Sequence, residues 1–434
     1  MSVRRSRFAA ALLALTLSLT PFAALADLRG ARDAYSRGDY ADAERQVRAL
    51  RPNERTAGDR VLARIYLETG RYDEVIEIGQ RLARAPASRA EGLTIQGEAL
   101  AAKGDRDAAL ARWNEAITAG PARSARRARA FAATWLARMG RRDEAREAAT
   151  PLIDEYNDAG EATGARAAVL RDAEFLLYVG MAAKALGSVR DANAAFNESL
   201  HIDATRVETN LAQAELMLST EDLQPAGEAL RAALTANPHS ARGLVLRART
   251  RLVSELDFTR AGDDLTAALA VNPRVAEAYA LRAAIVLRDG DIAAADRLLN
   301  EGTAINAHDP SVLAMRGVVR FFADDREGFR RAFDALFAEV PRTPKPTRSS
   351  ETSPTGSTAT PRPRSSCARA SLAPPSPPIA ASARAHPRRA RDQPPAHGTR
   401  GRGPHGLRAS FEASRFSVRV ANLLNLYEQT MGAE

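Results

Sequence analysis

The chain has 434 residues, one cysteine and a net charge of +9, which gives room for several core-forming units and excludes a disulfide framework or a cysteine metal site. The charge alone suggests nucleic acid or an acidic membrane surface as partner. But residues 342–408 hold 13 Lys or Arg against Glu351 and Asp392, and residues 1–26 hold three Arg, so the rest stands at −5. A mildly acidic body is not expected to bind nucleic acid specifically.

Residues 1–26 place Arg4, Arg5 and Arg7 before a short apolar run that ends in Ala24-Leu25-Ala26. This is the pattern of a secretory signal peptide, too short for a comfortable membrane span, and it predicts cleavage after Ala26. The mature chain is expected to be exported, periplasmic or secreted, with no membrane span after cleavage.

From there a phrase recurs: GDYADA at Gly38, GRYDEV at Gly70, GDRDAA at Gly104 and GRRDEA at Gly140. With its last residue as marker, the series runs Ala43, Val75, Ala109, Ala145, Ala192, Ala226, Ala261, Ala295 and Phe329, at spacings of 32, 34, 36, 47, 34, 35, 34 and 34. Twelve residues before each marker stands Gly or Ala, except at Arg249, which has Ala248 beside it. Pro121, Pro238, Pro273 and Pro341 fall twelve residues after markers, where a proline ends a helix. Large apolar residues four after the marker, such as Trp113, Phe196, Leu230, Leu265, Leu299 and Phe333, would fill the space between units. The 47-residue step predicts one unit with lengthened helices or a protruding loop.

This pattern over residues 27–341 resembles the tetratricopeptide repeat, a helix-turn-helix unit of about 34 residues. The resemblance implies an all-α fold: a right-handed solenoid of about nine hairpins, with small residues where two helices cross closely.

Residues 342–408 contain 13 prolines and few large apolar residues, so as written they are expected to be disordered. The next two markers would fall at Pro363 and His397. Read one base out of frame, both codons permit alanine, and those of Glu351, Ala385 and Asp392 permit glycine where the repeat has small or turn residues. The segment is therefore read as out-of-frame translation of two further repeats rather than as a Pro-rich linker. Residues 409–434 resume a helical period at Phe411, Phe416, Val420, Leu423, Leu424 and Tyr427 and predict a C-terminal helix.

No His-Glu-x-x-His pair, phosphate-binding glycine loop or nucleophile elbow occurs in the chain, so no catalytic residue, cofactor or metal is expected. Binding is the expected activity: an exported protein–protein interaction scaffold whose concave face, lined by the first helix of each unit, takes a peptide or partner protein. Repeat register places Tyr35, Arg60, Arg64 and Leu67 on that face near the N-terminus, with Leu211, Leu218, Leu246 and Phe321 further along. Some members of the family hold a peptide carboxylate with concave basic residues; Arg60 and Arg64 would correspond here, without the accompanying asparagines. The final SVRVANLLNLYEQTM resembles the junction to a gluzincin-type zinc metallopeptidase domain in exported bacterial proteins. That resemblance implies the alternative of a truncated, inactive N-terminal portion of such a protein.

Overall fold

The computed structural model describes residues 27–339 apart from 165 and 166. The expected signal peptide, the segment 342–408 and the C-terminal helix therefore lie outside the described residues. Within them the chain forms eighteen α-helices and no strand, which agrees with the all-α solenoid read from the sequence.

The helices pair in chain order into nine hairpins. They are α1 (Leu28–Ser36) with α2 (Tyr40–Arg48), α3 (Arg55–Glu68) with α4 (Tyr72–Ala83), and α5 (Arg89–Ala102) with α6 (Arg106–Thr118). Next come α7 (Ala122–Arg138) with α8 (Arg142–Glu161), α9 (Ala173–Ala185) with α10 (Val189–Ile202), and α11 (Val207–Ser219) with α12 (Leu223–Ala236). The last three are α13 (Ala241–Thr250) with α14 (Phe258–Val271), α15 (Ala276–Arg288) with α16 (Ile292–Ile305), and α17 (Pro310–Phe322) with α18 (Arg326–Glu339). No helix among the described residues is long and apolar enough to cross a membrane.

Each hairpin turns at the same repeat position, five residues before the marker, and there the backbone is left-handed in all nine units. Gly38, Gly70, Gly104, Gly140, Gly187 and Gly290 supply six of these positions, whereas Glu221, Leu256 and Asp324 adopt φ of 62°, 53° and 55°. A side chain in that conformation costs about 1–2 kcal/mol because Cβ crowds the following carbonyl. The aspartate after this residue often caps the second helix: Asp105, Asp257 and Asp291 accept the backbone N–H of Ala108, Arg260 and Ala294. Leu256 is 53% exposed, so its side chain returns little burial for the strain. Leu256→Gly is expected to stabilise the fold by about 0.5–1 kcal/mol after the extra chain entropy of glycine is counted. The readout is a higher urea midpoint, and an unchanged or lower one would refute the strain argument.

The crossing of the two helices shows why the small residues keep their register. A Cβ added at Gly97, Gly180 or Gly317 would lie closer than 3.0 Å to the ring of Trp113, Phe196 or Phe333 respectively. Where the crossing residue is alanine, as at Ala214, Ala283 and Ala248, the facing residue is Leu230, Leu299 or Leu265 instead, and these pairs are fully or almost fully buried. In these six hairpins one shared volume is thus divided in two ways: glycine with an aromatic ring, or alanine with leucine. Arg249 is not an exception to this rule. Ala248 occupies the crossing, and the one extra residue before the marker Ala261 is absorbed by a π-helical turn over Arg251–Glu255.

The 47-residue step proves to be both lengthened helices and an extended connection. Helix α8 runs for 20 residues with Pro151 inside it, on its exposed side. A short 3₁₀ segment, Ala167–Arg171, then precedes α9.

Candidate functional site: the axial channel

The first helices of the hairpins face inward, and the array winds tightly enough to meet itself. Asn237, at the end of α12, donates from Nδ2 to the Tyr40 hydroxyl over 2.9 Å, and Asn272, at the end of α14, donates to the Tyr72 hydroxyl over 3.3 Å. The paired residues are 197 and 200 positions apart. Gly38, Gly70 and Gly104 lie so close to Asn237, Asn272 and Asn306 that a Cβ on any of them would overlap the asparagine Oδ1. The turns of hairpins one, two and three therefore dock on the loops after hairpins six, seven and eight. Arg274 adds an ion pair to Asp73 at 3.4 Å, and Arg106 pairs with Glu339.

Behind this seam the concave face becomes the wall of a half-open channel, in which two cavities stand out among the described residues. The larger, of about 420 Å³, is lined among others by Leu67, Glu68, Trp135, Arg138, Met139, Glu215, Arg242, Val245 and Leu246. The smaller, of about 350 Å³, is lined by residues that include Arg64, Glu91, Arg123, Arg127, Glu174, Phe175 and Tyr178.

Charge on the wall follows the repeat. Glu91 and Glu98, Glu208 and Glu215, and Arg242 and Arg249 each stand seven residues apart on one helix, two turns along the same face. The later residue of one unit pairs with the earlier residue of the next. Arg127 meets Glu98 at 2.8 Å, Arg242 meets Glu215 at 2.6 Å, and Arg249 meets Glu277. Arg64 breaks this rule: instead of its neighbour Glu91, which pairs with Arg60 at 2.6 Å, it reaches across to Glu174 at 3.2 Å and Glu208 at 3.6 Å.

These neighbours set the titration of the carboxylates. Burial pushes Glu215 up, but Arg242, Lys184 and Arg249 outweigh it and hold it at about 2. Burial likewise pushes Glu174 up, and Arg64, the Tyr178 hydroxyl, Arg127 and Arg206 hold it at about 2. Glu68 has no ion-pair partner among the described residues. Burial, with the like charge of Glu208, pushes it up to about 7 against the pull of Arg242 and Arg64.

Of the residues the sequence placed on the binding face, Arg64, Leu67 and Leu246 do wall the two cavities. Arg60 is engaged by Glu91, itself on the wall of the smaller cavity. Tyr35 packs beside Tyr40 with ring centroids 6.1 Å apart, and its hydroxyl is pushed well up by burial and by Glu208 and Glu68. Leu211 and Leu246 are 3% and 2% exposed in the core between α11, α12 and α13, and Leu218 is half-buried against that core. Phe321 packs on Phe322 and Phe329 in the last hairpin. Glu68, Glu174, Glu208, Glu215, Trp135, Arg138 and Arg242 were not singled out from the sequence. The recurrence of charge at seven-residue spacing on first helices is the signal that could have found most of them. Among the described residues no group of three or more His, Cys, Asp or Glu converges as a metal site.

Residues 3–138 match the family described as tetratricopeptide repeat-like domain. No curated protein matches the chain. Among solved structures, the chain is similar to Pseudomonas aeruginosa PilF, at 18% identity over 40% of this chain and 78% of that one, with a TM-score of 0.33. It is also similar to a thermophilic tetratricopeptide protein of Thermus thermophilus, at 18% identity over 39% and 92%, with a TM-score of 0.35. A Parabacteroides merdae tetratricopeptide protein gives 16% identity over 58% and 98%, with a TM-score of 0.37. The family match lies at the N-terminal end and the same hairpin recurs in register through α18, so the described residues form an array of tetratricopeptide-like repeats.

Proposed function

We propose that the protein is an exported interaction scaffold whose axial channel receives a peptide or a segment of a partner protein. The observation that carries this reading is the channel itself, with two cavities walled by the first helices and presenting charged and apolar side chains together. An array built for stability alone would close such space with apolar side chains, because burying charge is costly even when it is paired. In the same reading, residues 1–26 direct export, and the coding sequence of residues 342–408, in the corrected frame, specifies two further repeats.

The test is site-specific photocrosslinking in the producing cell. A crosslinker at Met139, on the cavity wall, is expected to capture a discrete partner on the exported chain, which begins at Asp27. The same group at Asp143, whose side chain is 97% exposed, is expected to capture none. Equal capture from both positions, or capture from Asp143 alone, would place the interaction outside the channel and overturn the proposal.

A further inference from the structure

Most charges in the wall of the larger cavity are already engaged. Glu215 pairs with Arg242, Arg106 with Glu339, Arg274 with Asp73 and Glu277 with Arg249, while Asp309 caps α17 through the backbone N–H groups of Ser311 and Val312. Two make no close ion pair: among the described residues, Glu68 on α3 feels Arg242 and Arg64, and Arg138 on α7 feels Asp309, only from beyond ion-pair distance, although both line the cavity. Arg138 only lies over the Trp135 ring, 5.5 Å from its centroid. A charge held at a partly dry wall without a partner is a cost to the fold, and here the wall carries one of each sign.

The compartment is also short. Arg64, one turn before Glu68 on α3, spans the channel to Glu174 and Glu208. The seam at Asn272 and Asn306 contributes lining residues as well. An extended chain passing through would have to displace the Arg64 bridge, whereas a small molecule would not.

We propose, building on the channel reading above, that this cavity binds a small zwitterion, with an ammonium group against Glu68 and a carboxylate against Arg138. The chemical class is a free-ended peptide of about two or three residues, which suits a cavity at the lower end of the usual ligand-pocket range. Leu67 and Met139, both part-exposed, supply apolar contact for its side chains, and the Trp135 indole gives an optical reporter beside the site.

The experiment is native mass spectrometry of the full chain with a pool of free-ended tripeptides, alongside N-acetylated and C-amidated pools of the same composition. One-to-one adducts are expected with the free-ended pool and about tenfold fewer with either blocked pool, the loss of one charge pair. Glu68→Gln is expected to abolish the discrimination against N-acetylation, and Arg138→Gln that against amidation; each variant is first checked for native helicity. The absence of adducts, or adducts indifferent to blocking in the unmodified chain, overturns the proposal without recourse to the variants. Capture of a protein partner at Met139 that persists in both variants would leave the scaffold reading standing and remove only the zwitterion site.

Discussion

Gly180→Ala is expected to destabilise the array by about 1–3 kcal/mol, as overpacking of a filled core does, and a second substitution, Phe196→Leu, is expected to return much of that loss. The added methyl group would lie 2.3 and 2.5 Å from two carbons of the Phe196 ring and 3.0 Å from a third, and the ring is fully buried with no free side to move toward. Phe196→Leu alone leaves an unfilled space and should cost about 1–3 kcal/mol. The double variant recreates the pairing that the protein already uses at Ala214 with Leu230 and at Ala283 with Leu299. The coupling energy between the two sites should therefore be favourable by at least about 1 kcal/mol. Urea unfolding of the two single variants and the double variant measures it. Strictly additive costs would show that the ring and the glycine do not divide one volume.

Two glutamines placed on the channel wall are expected to change stability with opposite dependence on pH. Glu215 is held at about 2, below the ordinary glutamate value, by Arg242, Lys184 and Arg249 against the effect of burial. Its contribution is therefore present above the unfolded value and is lost as pH falls through about 2. Glu215→Gln should cost about 1–2 kcal/mol near neutrality, a figure reduced for a side chain 30% exposed to channel water, and nothing at the acid limit.

Glu68 behaves in the reverse sense, because its folded value of about 7 lies above the unfolded one. The folded chain then holds the proton more tightly, so the cost of the charged form grows as pH rises from the unfolded value to about 7 and stays constant beyond it. Glu68→Gln should stabilise the protein at pH above about 7 and have no effect below about 4. The groups that face Glu68 are Tyr35, Tyr40, Arg64, Tyr72, Glu208 and Arg242, and of these only Arg64 and Arg242 draw its value down. Melting temperatures of the three proteins across pH decide the matter. Parallel curves for both variants would show that neither carboxylate titrates away from its ordinary range.

The fold was legible because each hairpin is specified inside a window of about 34 residues. Small crossing residues, a left-handed turn, an aspartate cap and helix-ending prolines all act between neighbours in sequence, and the apolar face of each unit is buried by the next. Even the π-turn at Arg251–Glu255 is announced by the one-residue shift from Arg249 to Ala248. The left-handed backbone at Glu221, Leu256 and Asp324 was not legible, since nothing in those residue types demands it. Tertiary context imposes the turn there.

The channel was decided by tertiary structure alone. Which loops meet across the seam depends on small rotations between units, summed over six of them, and no local window records that sum. The meeting of Tyr40 with Asn237 and of Tyr72 with Asn272 therefore had no sequence signature, although each residue sits at an ordinary repeat position. The same accumulated rotation brings Arg64 within reach of Glu174 and Glu208 rather than Glu91 and leaves Glu68, among the described residues, without an ion pair. Leu211 and Leu246, by contrast, are buried locally, between the neighbouring helices α11, α12 and α13. Sequence by itself determined the unit and its repetition, because those rest on short-range helix geometry. Only the tertiary structure decided what faces what across the axis, because that is fixed by the pitch of the whole array.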